Sequence, residues 1–320
     1  NIDHSNSHSS FKDKVSMSNL CQEITLPTTP IKSIDDPEGE IALCILSAIN
    51  VGAIGNLSEL EGLCDLSVRA LDEIIELQDY PVKAAEVSTK SRRSLGIGYI
   101  GLAHYLAKNG VKYSDPKAWE LVDRLSEAFQ YYLLRASCDI AEEKGKCTAF
   151  DRTKYADGLL PIDHYKKEVD EIVTHKQRMA WETLRKDILK YGLRHSTLSA
   201  QMPSESSSVV SNETNGIEPP RALLSIKKSK KGPLKQIVPG FPNLKNAYTL
   251  LWDMGGNEGY IKIVSVMQKY FDQAISGNWS YNPLQYENNE VPLSVMAQDM
   301  LMAYKYGWKT SYYQNTYDFK

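Results

Sequence analysis

The sequence of 320 residues lacks a strong charge of either sign, a CxxC pair and a long unbroken apolar run. A net charge of −3 on a chain this size gives no general attraction to nucleic acid or to an anionic lipid surface, so a phosphate-bearing ligand would need a local site. The longest apolar stretch, IALCILSAINVGAIG, is broken by Ser47 and Asn50 and is too short to span a bilayer. The five cysteines (Cys21, Cys44, Cys64, Cys138, Cys147) are odd in number and widely spaced, which indicates neither a disulfide framework nor a zinc site. A reducing, cytoplasmic compartment is the expectation. No signal peptide is evident, and a chain opening NIDHSNSHSS without an initiator methionine reads as a piece of something longer.

What is present is an ordinary globular composition, 42% hydrophobic and 24% charged, enough to bury a core in an α/β body. The stretch SNLCQEITLP stands out because Asn19, Cys21 and Glu23 alternate. On an extended backbone they share one face, setting a thiol between an amide and a carboxylate. The competing reading is a small buried hydrophobe, the usual fate of a free cysteine.

Along the chain, EIALCILSA has the continuous apolar character of a buried strand. From Asn56 to Tyr80, Leu60, Leu63, Leu66, Leu71, Ile74 and Leu77 predict an amphipathic helix stopped by Pro81. Ser114, Asp115 and Pro116 predict the start of a long helix ending at Lys144 before Gly145. Residues 146–192 are more polar, with helical stretches over Tyr165 to Val173 and Met179 to Tyr191, and read as a small inserted helical subdomain between 1–145 and 193–320. LRHSTLSAQMP predicts a strand, followed by a loop and short helix. A hairpin then carries Lys227, Lys228, Lys230 and Lys231 at its tip, most simply a solvated turn. Helices are predicted over Leu244 to Met254, Gly259 to Ile275 and Leu293 to Tyr306, and WKTSYYQNT is strand-like.

Several motifs compete with plainer explanations. Gly96, Gly98 and Gly101 spell GxGxxG, but STKSRRS ahead of them is no buried strand, so close helix packing explains them better than a dinucleotide site. PSESSS, with Pro203, Ser204, Glu205, Ser206 and Ser207, suits an anion at a helix start or an ordinary capped helix. Tyr312 and Tyr313 would point to opposite faces of a regular strand. His4 and His8 have helical metal-ligand spacing but sit in a polar loop with no further ligand evident.

Taken in order, SNLCQEITLP, EIALCILSAIN, RRSLGIGYIGLA, MPSESSS, NGIEPPR and YYQNT resemble the catalytic large subunit of class Ia ribonucleotide reductases across essentially the whole chain. The resemblance implies that Cys21 becomes a thiyl radical taking the ribose 3′ hydrogen, that Glu23 takes the 3′-hydroxyl proton and that Asn19 binds the ribose hydroxyls. It makes Cys44 one of two reducing thiols, Pro203 to Ser207 the diphosphate loop, and Tyr312 and Tyr313 a relay from a small subunit that holds a diiron-tyrosyl radical. Thioredoxin or glutaredoxin would be the reductant, with no cofactor or metal in this chain itself. The implied fold is the second half of a ten-stranded α/β barrel with Cys21 on a central finger loop. The partner of Cys44, the allosteric sites and the C-terminal cysteine pair are expected outside this chain, so activity would need an N-terminal complement. An inactive assembly fragment and a cysteine hydrolase are the alternatives; six scattered histidines suggest no partner for the latter.

Overall fold

In the computed structural model, which describes residues 8–229 and 232–318, β1 (Ile45–Asn50) leads into α1 (Glu59–Leu77), followed by α2 (Lys83–Arg92) and β2 (Leu95–Ile100). Gly101, at φ 83°, opens α3 (Leu102–Lys108). Next comes α4 (Pro116–Lys144), where Asp115 is extended, Pro116 is the first helical residue and Gly145 leaves at φ 89°. Proline fits there because the first N–H of a helix has no partner within it, and the 29 residues span roughly 44 Å. Short 3-10 turns precede α5 (Trp181–Tyr191) and an extended stretch precedes α6 (Glu205–Val210). β3 (Leu224–Ser229) and β4 (Gly232–Ile237) form the predicted antiparallel hairpin, whose Lys230 and Lys231 lie outside the described residues, as does His4. The chain finishes with α7 (Glu258–Gln268), β5 (Gly277–Tyr281), α8 (Leu293–Lys305) and β6 (Ser311–Thr316).

Distant stretches line up as a continuous parallel run. β1 pairs with β2, and Ile97 of β2 bridges to Ser199. Gln201 bridges in turn to Ile275, just ahead of β5, and β5 pairs with β6. Every residue of β2 is buried, as in a parallel sheet covered on both faces. α1 packs on β1 and α4, α4 on α7, and α7 on α8. Tyr99 of β2 meets Phe129 of α4 edge-on at 4.6 Å and Phe271 at 5.5 Å. Phe150, Tyr155, Trp181 and Leu184 from the 146–192 stretch join the same core.

Several expectations are corrected. α1 exists, but it buries Leu60, Cys64, Val68, Leu71 and Ile75, while Leu66 and Leu77 are 67% and 80% exposed. The buried set keeps the helical period and the leucine set drifts off it. The strand expected within EIALCILSA is only half-buried in β1, which among the described residues pairs with β2 alone. LRHSTLSAQMP forms isolated bridges and no full strand. Leu244 to Met254 holds turns around one 3-10 turn; α7 stops at Gln268, and GNWSY is an unanticipated strand. Gly96 and Gly98 lie inside β2, so strand packing and not helix packing requires them: a Cβ on Gly96 would come within 2.7 Å of Cys44 Sγ, and one on Gly98 within 2.6 Å of the Ala200 carbonyl. His8 is fully buried, with Nε2 3.0 Å from Asp272 and 3.2 Å from the Tyr155 hydroxyl, so it is a core histidine and not part of a solvated loop.

Candidate active site

Residues 19–22 make a tight turn, so the expected extended face of Asn19, Cys21 and Glu23 is replaced. The Gln22 N–H donates to the Asn19 carbonyl at 3.1 Å, and Gln22 takes a left-handed φ of 70°. Asn19 Oδ1 accepts from the Ile24 N–H at 3.1 Å, which fixes the exit of the turn. Cys21 is half-buried, while Glu23 is 2% exposed.

The far end of the chain anchors this turn. Thr310 Oγ1 donates to the Gln22 carbonyl at 2.7 Å, and the Ala274 N–H to the Glu23 carbonyl at 2.9 Å. The Ser276 hydroxyl reaches both the Cys21 carbonyl and Glu23 Oε2, the latter at 3.0 Å.

Cys21 opens into a cleft of about 910 Å³ that Pro203, Ser204, Glu205, Ser206 and Ser207 line together with Tyr312 and Tyr313. The serine loop is held from below. The Gln201 carboxamide accepts from the Tyr99 N–H at 2.8 Å and donates to the Tyr99 and Met202 carbonyls. The Ser204 N–H donates to Asn215 Oδ1 at 3.1 Å. Beyond Ser204 the first N–H groups of α6 have no partner within the helix, and Ser206 and Ser207 are exposed beside them. Such a loop can hold an anion.

The two tyrosines do not point apart. Between β5 and β6 the register slips, so that Gly277 faces Ser311 but Trp279 faces Gln314. This bulge gives β6 one extra residue and turns both rings to the same side, with centroids 3.9 Å apart and planes at 32°. The neighbouring Tyr313 and Cys21 side chains raise the Tyr312 phenol above the usual range. Tyr313, Tyr312 and Cys21 therefore share the wall of one cleft, with the two rings in contact.

Cys44 is not among the residues that line the cleft, nor are Asn19 and Glu23. Burial pushes the Cys44 thiol up to about 12, opposed by Gln273, whose Nε2 lies 3.4 Å from Sγ and 2.9 Å from the Leu95 carbonyl. The missing Cβ of Gly96 makes room for that sulfur. All five cysteines are unpaired. Cys64 and Cys138 are core residues of α1 and α4, and Cys147 is buried with them.

Ser276, Gln273 and Thr310 carry no local signal, since their contacts to Cys21, Cys44 and Gln22 run across more than 200 residues of sequence. Glu218 had a signal in NGIEPPR, though the motif alone assigned it no task. Its carboxyl lines the cleft, and burial pushes it up to about 7. Among the described residues, no group of three or more His, Cys, Asp or Glu could hold a metal ion. Nor, among them, is any helix long and apolar enough to cross a membrane.

A parallel α/β body with a thiol, a serine-rich loop and stacked phenols around one cleft defines a class of protein: the chain belongs to the ribonucleotide reductase barrel-domain family, whose family model matches residues 1–314. Its relatives carry a more particular name, ribonucleoside-diphosphate reductase subunit alpha. Those of Haemophilus influenzae and of Buchnera aphidicola subsp. Schizaphis graminum are 57% identical over 321 residues and 56% over 320. The ribonucleoside-diphosphate reductase 1 subunit alpha of Escherichia coli (strain K12) is 53% identical over 321 residues. Each alignment takes in 99% of this chain but 42% of the relative, so the chain spans less than half the length of the proteins it matches.

Proposed function

We propose that this chain is the C-terminal catalytic segment of a ribonucleoside-diphosphate reductase α subunit, reducing ribonucleoside diphosphates to deoxyribonucleoside diphosphates for DNA synthesis. The observation that carries this reading is the shared cleft, lined together by Cys21, the serine loop and both tyrosines. In this reading the parallel run is the second half of a ten-stranded barrel, residues 18–27 are its finger loop and 146–192 an inserted subdomain. The rest of the subunit completes the site.

The diphosphate sits at the start of α6, where N–H groups and serine hydroxyls donate and the helix end favours negative charge. Cys21, as a thiyl radical, takes the 3′ hydrogen atom, forming an S–H bond comparable in strength to the C–H bond it breaks. Glu23 takes the 3′-hydroxyl proton while Ser276 donates to its other side. Asn19 binds the ribose hydroxyls through its amide nitrogen, because its oxygen is held by Ile24. The 2′-hydroxyl leaves as water. Cys44 and a second thiol from the rest of the subunit join as a disulfide, giving one proton to the leaving hydroxyl and, with two electrons, one proton to C2′, while Glu23 returns its proton to the 3′ oxygen. Cys21 then returns a hydrogen atom to C3′ and regains the radical. Tyr312 and Tyr313 pass the oxidising equivalent from a small subunit with a diiron-tyrosyl radical, and thioredoxin or glutaredoxin reopens the disulfide. Closure of the cleft against bulk water protects the radical.

The test combines this chain with its N-terminal complement, a radical-loaded small subunit and a dithiol reductant, and measures deoxynucleotide formed from a ribonucleoside diphosphate. Wild type should turn over, and Cys21→Ser should lose all product. Full activity in Cys21→Ser would refute the mechanism, and an assembled complex without turnover would mark an inactive assembly fragment.

A further inference from the structure

The bulge that stacks the tyrosines has a clamp. With Gly277 facing Ser311 and Trp279 facing Gln314, Tyr312 and Tyr313 both lie opposite the single residue Asn278. A bulge of this kind disrupts the ladder locally and leaves the extra residue without its regular partner. Here the Tyr313 N–H donates to Asn278 Oδ1 at 2.9 Å. The other end of that carboxamide, Nδ2, donates to Glu218 Oε1. Asn278 is thus fixed at both ends, and its amide has the acceptor and donor that the position uses. Glu218 comes from a different part of the chain, just ahead of Pro219 and Pro220, and lines the cleft with Asn278 and both tyrosines. Neither residue is hydrogen-bonded to Cys21 or to the serine loop by these contacts. Their effect runs through the bulge.

We propose that Glu218 and Asn278 are positioning residues for the tyrosine relay: by pinning the bulge they hold Tyr313 stacked on Tyr312 at the Cys21 end of the cleft. This rests on the function proposed above. Without the carboxamide, the Tyr313 N–H has no ladder partner to return to, and β6 can relax toward regular alternation, which would part the rings. Transfer between the phenols depends steeply on their separation, whereas the serine loop is untouched. The signature is therefore a loss of turnover without a loss of substrate binding.

The test uses the complete α subunit with its radical-loaded small subunit and compares wild type with Asn278→Ala, Asn278→Asp and Glu218→Ala. For Asn278→Ala, kcat should fall about 100-fold, the scale set by a misplacement of about 1 Å, with KM for the ribonucleoside diphosphate changed less than about twofold. Asn278→Asp keeps the acceptor for Tyr313 but sets a second carboxyl against Glu218, so its kcat should recover as pH is lowered and the pair shares a proton. Crystal structures of the same variants should show the ring centroids farther apart in Asn278→Ala and Glu218→Ala. Unchanged kcat in Asn278→Ala and Glu218→Ala, or loss of kcat only in step with KM, would overturn the proposal. If the wild type makes no deoxynucleotide, the reading of the function fails, and the ring separation still decides the clamp: rings that stay stacked in both alanine variants overturn it.

Discussion

At the scale of single residues, Ser276 carries more than its size suggests. One hydroxyl bridges the backbone of the thiol-bearing turn and a carboxyl that is 2% exposed. In Ser276→Ala, Glu23 loses a donor in a place water does not readily reach. The expected cost is about 1–3 kcal/mol, measured by urea unfolding, and kcat in the assembled enzyme should fall at least about 10-fold. Wild-type stability and turnover in this variant would show the hydroxyl to be idle. Such a residue is illegible in AISGNWS because nothing local to it differs from any other serine. Cys21 stands out in the sequence through its amide and acid neighbours, yet a turn replaces the expected strand and of the three only Cys21 lines the cleft.

At the scale of elements, locally encoded features were readable and those set by partners were not. Asp115, Pro116 and Gly145 mark the ends of α4 by backbone chemistry alone, and Gly307 closes α8 at φ 87°. By contrast, 197–201 is extended because β2 and 274–276 lie on either side, and the facing of Tyr312 follows from a bulge opposite Asn278. β2 gives a direct test of its glycines. The methyl group of Gly96→Ala meets Leu46 Cδ2 at 2.6 Å and Cys44 Sγ at 2.7 Å, so overpacking should cost about 1–3 kcal/mol and speed alkylation of Cys44. In α1, a Cβ on Gly62 meets nothing within 4 Å, and Gly62→Ala should stabilise the protein by about 0.5–1 kcal/mol. Denaturant titrations that reverse these two signs would refute the packing described.

At the scale of the whole molecule, buried charge makes stability depend on pH. Burial holds His8 and His195 down to about 4 from 6.5, despite Asp272 and Asp72 beside them. Between those values the unfolded chain binds protons that the folded one does not, so each histidine stabilises the fold above about pH 6.5 and loses that contribution as pH falls toward 4. Glu218 acts the other way, since its carboxyl is raised from 4.5 to about 7 and its contribution is lost as pH rises through that window. Burial also holds His175 down and pushes Asp299 up, so three histidines against two carboxyls leave a net loss on acidification. The urea midpoint should be lower at about pH 5 than at about pH 7.5, and His195→Gln should flatten the difference. A midpoint that rises toward acid would contradict this.

The anchors of the Cys21 turn also set a timetable for synthesis. Thr310 lies 288 positions after Gln22, and Ser276 lies 255 after Cys21. A ribosome adding about 5–20 residues per second emits the thiol roughly 15–60 s before its last anchor exists. Through that interval Cys21 is an unfolded, solvent-facing sulfur open to oxidation, and contacts of such long range are slow to form even after release. Newly made chains should therefore be most easily alkylated at Cys21, and loss of that reactivity would time the moment when the two ends of the sequence meet.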